Sequence, residues 1–231
     1  RHAAQCAMSL AGPRQPTVAQ VHAPRKARIM VIGCAAMDIT AQALEPSLSD
    51  PSTAPGSIDI TVGGVAHNIA RAAHAMLEDK RAVVLVAPKA DDTLGKLMQG
   101  EMHASRMRTD ALIQSARTPM CNLVLDADGE LVTGIADMRV LDDVMLPEVV
   151  ATRLQQYQPS FIALDANLQP ASLAEALAYA SKERVPVLYE PTSTAKCHRI
   201  LDAMQMLQRA QKIQMVTPNQ YELASMAERL R

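Results

Sequence analysis

The sequence predicts an α/β domain: a doubly wound, mostly parallel sheet carrying a small β lid. Three observations carry this. Short apolar runs alternate with amphipathic stretches of helical length, and a strand–helix–strand succession makes parallel βαβ units. Two alternating runs near the middle are joined by Asp-Gly, which signals an antiparallel hairpin rather than a crossover. Apolar residues make up 48% of the 231, enough for a sizeable core.

The elements follow in chain order. Arg28 to Gly33 is a short β-branched apolar run, a buried strand. Ser57 to Val62 alternates with period two, a half-exposed strand broken by Gly63-Gly64. From Ala66 to Leu77, Ile69, Ala70, Ala73, Met76 and Leu77 share one helical face, with Arg71, His74 and Glu78 on the other. His67 and His74 then read as surface residues. Val83 to Ala87 is another buried strand. Asp91-Asp92-Thr93 can cap a helix containing Leu94, Leu97 and Met98.

Cys121–Asp126 and Glu130–Ile135 are the hairpin strands of the lid, turning through Ala127-Asp128-Gly129. Phe161–Asp165, Pro186–Glu190 and Gln214–Thr217 are strands, separated by amphipathic helices over Ser172–Lys182 and Ile200–Arg209.

Composition excludes several classes. Lys and Arg total 23 against 24 Asp and Glu, so no electrostatic footprint for nucleic acid or an anionic membrane exists. No uncharged apolar run approaches the roughly 18 residues of a spanning helix. With four Tyr, one Phe and no Trp, the 14 Met and many Ala must fill the core. The cysteines at 6, 34, 121 and 197 form no C-x-x-C pair, which suits free thiols in a reducing compartment, the cytoplasm.

Residues 1–27 contain Pro13, Pro16 and Pro24, several Arg and Lys, and no acid. They read as a linker or tail, with 28–231 as the domain. An acid-poor, Arg-bearing start also has the texture of an organelle transit peptide, so a mitochondrial location is the alternative.

In open α/β sheets, ligands collect beyond the carboxyl ends of the strands. Asp38, Gly63-Gly64-x-x-x-Asn68, Asp165 with Asn167, and Asn219 with Glu222 all fall there. Two glycines let a ligand approach the backbone, and the helix start behind them offers free N–H donors. A dinucleotide-binding domain would need Gly-x-Gly-x-x-Gly after the first strand, but Gly33 is followed by Cys-Ala-Ala-Met-Asp.

In order and spacing the succession resembles the PfkB/ribokinase family of carbohydrate and nucleoside kinases. The matching stretches are Val31–Asp38, Gly63-Gly-Val-Ala-His-Asn-Ile-Ala70, Asp91-Asp-Thr-Leu-Gly95, Leu125–Glu130 and Thr217-Pro-Asn-Gln-Tyr-Glu222. Within the family the chain is most similar to pseudouridine kinases. The stretches Gly63–Asn68, Ala136-Asp-Met138, Leu164-Asp-Ala-Asn-Leu168 and Glu190-Pro-Thr-Ser-Thr-Ala-Lys-Cys197 carry that likeness.

The resemblance implies a ribokinase-like fold and ATP-dependent phosphorylation of a nucleoside or sugar hydroxyl, most specifically pseudouridine to pseudouridine 5′-phosphate. It implies that Asp38 accepts hydrogen bonds from sugar hydroxyls, that Gly63 and Gly64 let the sugar lie on the backbone, and that Asn68 and Asn167 make further substrate contacts. Asn219 and Glu222 match the element that organises Mg²⁺, through water, and the ATP phosphates. A homodimer through the lid is implied, as is a fused or associated glycosidase, for which residues 1–27 would be the linker.

Three departures stand out. His67 occupies the place of an Arg. Ala87-Pro-Lys-Ala90 replaces a Gly-containing turn. The Gly-Ala-Gly-Asp element that carries the family's catalytic base and anion hole does not occur in the 231 residues. The C-terminal part of a family domain is therefore expected to be missing, with the catalytic base beyond Arg231. The alternative function is a non-catalytic binding remnant of such a kinase.

Overall fold

The structure is a computed structural model, and it describes residues 27–44, 53–207 and 212–231. The proposed segment 1–27 lies outside the described residues except for Ala27, which is buried and donates its N–H to the Tyr157 carbonyl at 3.0 Å.

The central sheet has five parallel strands in the order β11-β10-β9-β1-β4. These are Ile29–Ile32 (β1), Val83–Val86 (β4), Phe161–Asp165 (β9), Val187–Glu190 (β10) and Met215–Val216 (β11). The chain leaves β1 for β4 on one side and later enters β9 on the other. The two crossovers therefore diverge at β1, which opens a crevice at its carboxyl end.

Both faces of the sheet are buried, as a parallel sheet requires. Side chains alternate along the strands. Met30, Ile32, Val84, Val86, Ile162 and Leu164 face helices α4 (Pro147–Tyr157), α5 (Pro170–Glu183) and α6 (Arg199–Gln205). Val31, Val83, Leu85 and Ala163 face α1 (Val65–Met76) and α2 (Thr93–Ala104), where Met98 and Met102 fill the space an aromatic would take. The expected Met- and Ala-filled core is present, although Met76, Met206 and Met215 are exposed.

The lid is a second sheet of four strands, β3-β2-β7-β8. Its members are Ala36–Ala43 (β2), Gly56–Gly63 (β3), Met120–Leu125 (β7) and Leu131–Asp137 (β8). The Asp-Gly hairpin lies between β7 and β8, as the sequence predicts. Short α3 (Val140–Val144) returns the chain to the sheet body.

Several details differ from the sequence reading. Ser57–Thr61 is exposed rather than half-exposed, because β3 is the lid's edge strand, and only at Val62 does it reach the core of the body. Asp38 sits within strand β2 rather than in a turn, since β2 continues almost directly from β1. Ala87–Ala90 forms a short strand, β5 (Pro88–Ala90), paired in parallel with β6 (Ile113–Ser115). Helix α4 escaped detection although Val150, Leu154 and Tyr157 have helical spacing and Pro147 stands at its first turn. Helix α6 ends at Gln205, and 208–211 lie outside the described residues. No described helix is long and apolar enough to cross a membrane.

Candidate active site at the carboxyl ends of β1 and β9

The site is built around Asp165, the last residue of β9, whose carboxylate is fully buried. Oδ2 accepts from the Cys34 N–H at 2.9 Å, the Ala66 N–H at 3.0 Å and Asn167 Nδ2 at 3.2 Å. Oδ1 accepts from the Asn167 N–H at 2.9 Å. Burial pushes the carboxyl above its ordinary range, and these donors oppose the shift. One side chain thus ties together the loop after β1, the start of α1 and the loop after β9. Gly33 leaves room for it, because a Cβ there would run into the Asp165 carboxylate.

The tie has a consequence for α1. The sequence reading expects free N–H donors at this helix start. The Ala66 N–H is taken by Asp165, and the His67 N–H by the Cys34 carbonyl at 3.2 Å. Two of the N–H groups of this helix start are therefore spent on holding the loops.

Asp38 is the third residue of β2, beside Thr61 of β3 and Cys121 of β7, with Ala136 of β8 completing the row across the lid. Its carboxylate lies against the Gly63 backbone: a Cβ on Gly63 would strike Oδ2 and stand 2.6 Å from Cγ. Partial burial alone pushes its carboxyl above the ordinary carboxylate range, and no donor among the described residues offsets it. Asp38 is therefore an acceptor still in need of donors. Gly64, next in line, adopts φ 90 as the N-cap of α1, and a Cβ there would stand 2.6 Å from the Cys34 carbonyl oxygen. Asn68 is exposed in the first turns of the same helix.

Asn167 is buried, and its Oδ1 accepts from Lys196 Nζ at 2.7 Å. The Asp165–Leu168 loop is gripped further by the segment after β10. Thr192 Oγ1 accepts from the Ala166 N–H at 3.1 Å, and one Arg199 nitrogen donates to the carbonyls of Ala166, Asn167 and Leu168 at 3.3, 2.9 and 3.2 Å. Sequence reasoning assigned Lys196 and Arg199 no role. The signal lay in the Glu190–Cys197 stretch.

Asn219 and Glu222 sit at the carboxyl end of β11, opening α7 (Gln220–Arg229). Three strand spacings separate β11 from β1, on the order of 14 Å. The pair forms a reciprocal capping box. Asn219 Oδ1 accepts from the Tyr221 and Glu222 N–H groups, and Glu222 Oε2 accepts from the Asn219 N–H, each at 2.9 Å. Glu190 links this end to β10 by accepting from the Thr192 N–H at 3.2 Å and from the Thr217 hydroxyl. Among the described residues no three His, Cys, Asp or Glu side chains gather as a direct metal ligand set. Asn219 Oδ1 and Glu222 Oε2 are spent on this cap, which leaves Glu222 Oε1 and the Asn219 side-chain NH₂ as the groups that could meet a hydrated cation or a phosphate oxygen.

Residues 26–231 match the pfkB family carbohydrate kinase. The chain belongs to this family. It is 29% identical over 209 residues to a pseudouridine kinase of Arabidopsis thaliana, covering 87% of this chain and 50% of that protein. It is 24% identical over 204 residues to a pseudouridine-metabolizing bifunctional protein of Schizosaccharomyces pombe, covering 86% and 26%. The chain thus spans about half the length of the first of these relatives and about a quarter of the second. Among solved structures, a carbohydrate kinase from Agrobacterium tumefaciens superposes with a TM-score of 0.68 at 22% identity, covering 87% of this chain and 63% of that one. Arabidopsis thaliana ribokinase, complexed with ribose and ATP, gives 0.67 at 17% identity, covering 88% and 63%. These structures establish the ribokinase-like fold.

The predicted site residues therefore fall into two groups. Asn167 is tied directly to Asp165, and Gly64 stands against the Cys34 carbonyl of the loop that Asp165 holds, while Asp38 and Gly63 pack on each other in the β2–β3 pair and Asn68 lies on the adjoining helix. Asn219 and Glu222 stand apart along the same edge of the sheet.

Proposed function

We propose that this chain binds the ribosyl face of a nucleoside, most specifically pseudouridine, and presents its 5′-hydroxyl for phosphoryl transfer from ATP. The observation that carries the reading is the Asp38 carboxylate, which lies against the bare Gly63 backbone and meets no hydrogen-bond donor among the described residues. A carboxylate accepts only, so its natural complement is a pair of vicinal hydroxyls. The absent side chain on Gly63 leaves the sugar room to lie flat, and Asn68 and Asn167 supply further polar contacts.

The likeness to a protein named pseudouridine kinase supports the substrate. At the other end of the edge, Asn219 and Glu222 would hold the hydrated Mg²⁺ and the ATP phosphates. Mg²⁺ supplies charge neutralisation of the transferring phosphoryl group. The substrate oxygen forms a bond to the γ-phosphorus as the bond to the β–γ bridging oxygen breaks, leaving ADP. A base must take the hydroxyl proton. The residues assigned above bind and orient rather than take that proton, so binding without transfer is the second reading.

Two partners belong to the same proposal. The outer face of the lid is apolar and would join two copies. Residues 1–27 would link or associate the domain with a glycosidase, a reading supported by the bifunctional relative.

Isothermal titration calorimetry tests the substrate. Pseudouridine is expected to bind more tightly than adenosine, ribose or fructose, and Asp38→Ala to weaken it by about 100-fold, the effect of two hydrogen bonds to a charged acceptor. Equal affinity for all four ligands removes the substrate assignment. An Asp38→Ala variant that binds as the parent does removes the site.

A further inference from the structure

Lys196 is a partly buried ammonium with no carboxylate within 4.0 Å among the described residues. The hydrogen bond it makes there is to Asn167 Oδ1, at 2.7 Å. Asn167 in turn has few valences left. Its backbone N–H goes to Asp165, its carbonyl takes Arg199, and one Nδ2 hydrogen goes to Asp165 Oδ2.

An ammonium cannot accept a hydrogen bond and a carboxylate cannot donate one. The Asn167 amide is therefore trapped between them in a single orientation. A flipped amide would set NH₂ against NH₃⁺ and C=O against COO⁻, losing both bonds and adding two repulsions. What remains unspent is the second Nδ2 hydrogen, two hydrogens on Lys196 Nζ and one lone pair of Asn167 Oδ1. A donor approaching that lone pair would meet the ammonium charge 2.7 Å away.

We propose that Lys196 is a positioning residue that locks the Asn167 amide, so that the pair turns donor hydrogens toward a substrate and the substrate atom recognised there is an acceptor oxygen. The inference rests on the functional reading above and sharpens it. The site becomes polarised: Asp38 takes hydrogens from hydroxyls, while Asn167 and Lys196 give hydrogens to an oxygen lone pair. Such a site rejects ligands that place an N–H or a cation at the second position, because an unmatched donor there would face another donor.

Lys196→Met, Lys196→Gln and Lys196→Arg test this with two readouts. The first is hydrogen exchange of the Asn167 side-chain amide, followed by ¹H–¹⁵N NMR on the unliganded protein. Lys196→Met is expected to speed it at least about 10-fold, while Lys196→Arg, which keeps a charged donor, restores protection. The second is calorimetry. Pseudouridine is expected to bind about 10- to 100-fold more weakly to Lys196→Met, with Lys196→Gln intermediate and thermal unfolding little changed.

A parallel titration with ribose locates the acceptor. An equal loss for both ligands puts it on the sugar, and a loss confined to pseudouridine puts it on the base carbonyls. Unchanged amide exchange in Lys196→Met overturns the positioning role. Faster exchange with unchanged affinity overturns the recognition role. If the parent protein binds no nucleoside, the functional reading fails, and the amide measurement alone still decides whether Lys196 holds Asn167.

Discussion

Two adjacent glycines in the site serve different purposes, and substitution separates them. Gly63 faces the end of a flexible side chain: its Cβ would meet the Asp38 carboxylate, which can swing away. Gly63→Ala is expected to change stability by less than about 1 kcal/mol while reducing nucleoside binding as far as Asp38→Ala does. Gly64 faces backbone. With φ at 90 and a Cβ 2.6 Å from the Cys34 carbonyl and 2.8 Å from Ala35 Cα, neither partner can yield cheaply. Gly64→Ala is expected to cost about 2–4 kcal/mol of stability, combining a strained dihedral with overpacking. Urea denaturation beside calorimetry reads both quantities. Equal stability losses at the two positions would contradict this division of labour. The Gly-Gly pair was legible in the sequence, but which glycine serves the ligand and which the fold was not. That distinction depends on Asp38 lying in β2, antiparallel to β3, a long-range pairing that no local pattern announces.

At the level of elements, helix α1 shows where periodicity misleads. Its sequence puts Ile69, Ala70, Ala73, Met76 and Leu77 on one face and His74 on the other. In the structure Ala70 is buried and Ile69, Ala73 and Leu77 pack against the core, but Met76 is 86% exposed while His67 and His74 are buried. The reason is that α1 packs small residues against β1 and β4 and turns its histidine edge toward the α2 side, where His74 Nε2 lies 3.0 Å from the Ser105 carbonyl oxygen. The apolar stripe therefore holds along most of its length, and the buried face is widened on one side by His67 and His74. His67 carries the consequence. Burial first, and the Arg71 charge second, push its pKa from 6.5 down to about 4. The unfolded chain takes up this proton near pH 6.5 and the native protein only near pH 4, so between those values the unfolded state binds more protons. Stability therefore rises with pH across that window and falls on acidification. Between pH 7 and pH 5 the loss due to His67 is about 1–2 kcal/mol. Urea unfolding of His67→Gln at both pH values is expected to show a smaller decline than the parent by that amount. An identical decline in both proteins would mean that the imidazole titrates normally. By contrast, the cap of α2 was readable locally: Asp92 accepts from the Gly95 N–H at 2.7 Å, as the Asp-Asp-Thr signal predicts.

At the scale of the whole molecule, the lid is a sheet with two unequal faces. Register puts Thr61, Asp38, Cys121 and Ala136 on the face that carries the site. The opposite face carries a row running Ile60, Ile39, Asn122 and Ile135 across all four strands, with Ile58, Ala41 and Val124 behind it. Ile58 is 70% exposed and Ile135 is 73% exposed. The parallel sheet of the body is covered on both sides by helices, but nothing in the described residues covers this face of the lid. A four-stranded sheet that leaves a row of isoleucines in water gains by meeting an equivalent surface, and a two-fold pairing of lids buries the same residues from both copies. Sedimentation velocity is expected to show a dimer that Ile60→Asp together with Ile135→Asp converts to monomer, because a buried, unpaired carboxylate at a self-complementary contact is placed against its own copy. Both substitutions lie on the face away from Asp38, so the monomeric variant should retain nucleoside affinity to the extent that each lid closes its own site. A protein that sediments as a monomer before substitution excludes the pairing. A dimer that survives both substitutions puts the contact elsewhere on the molecule.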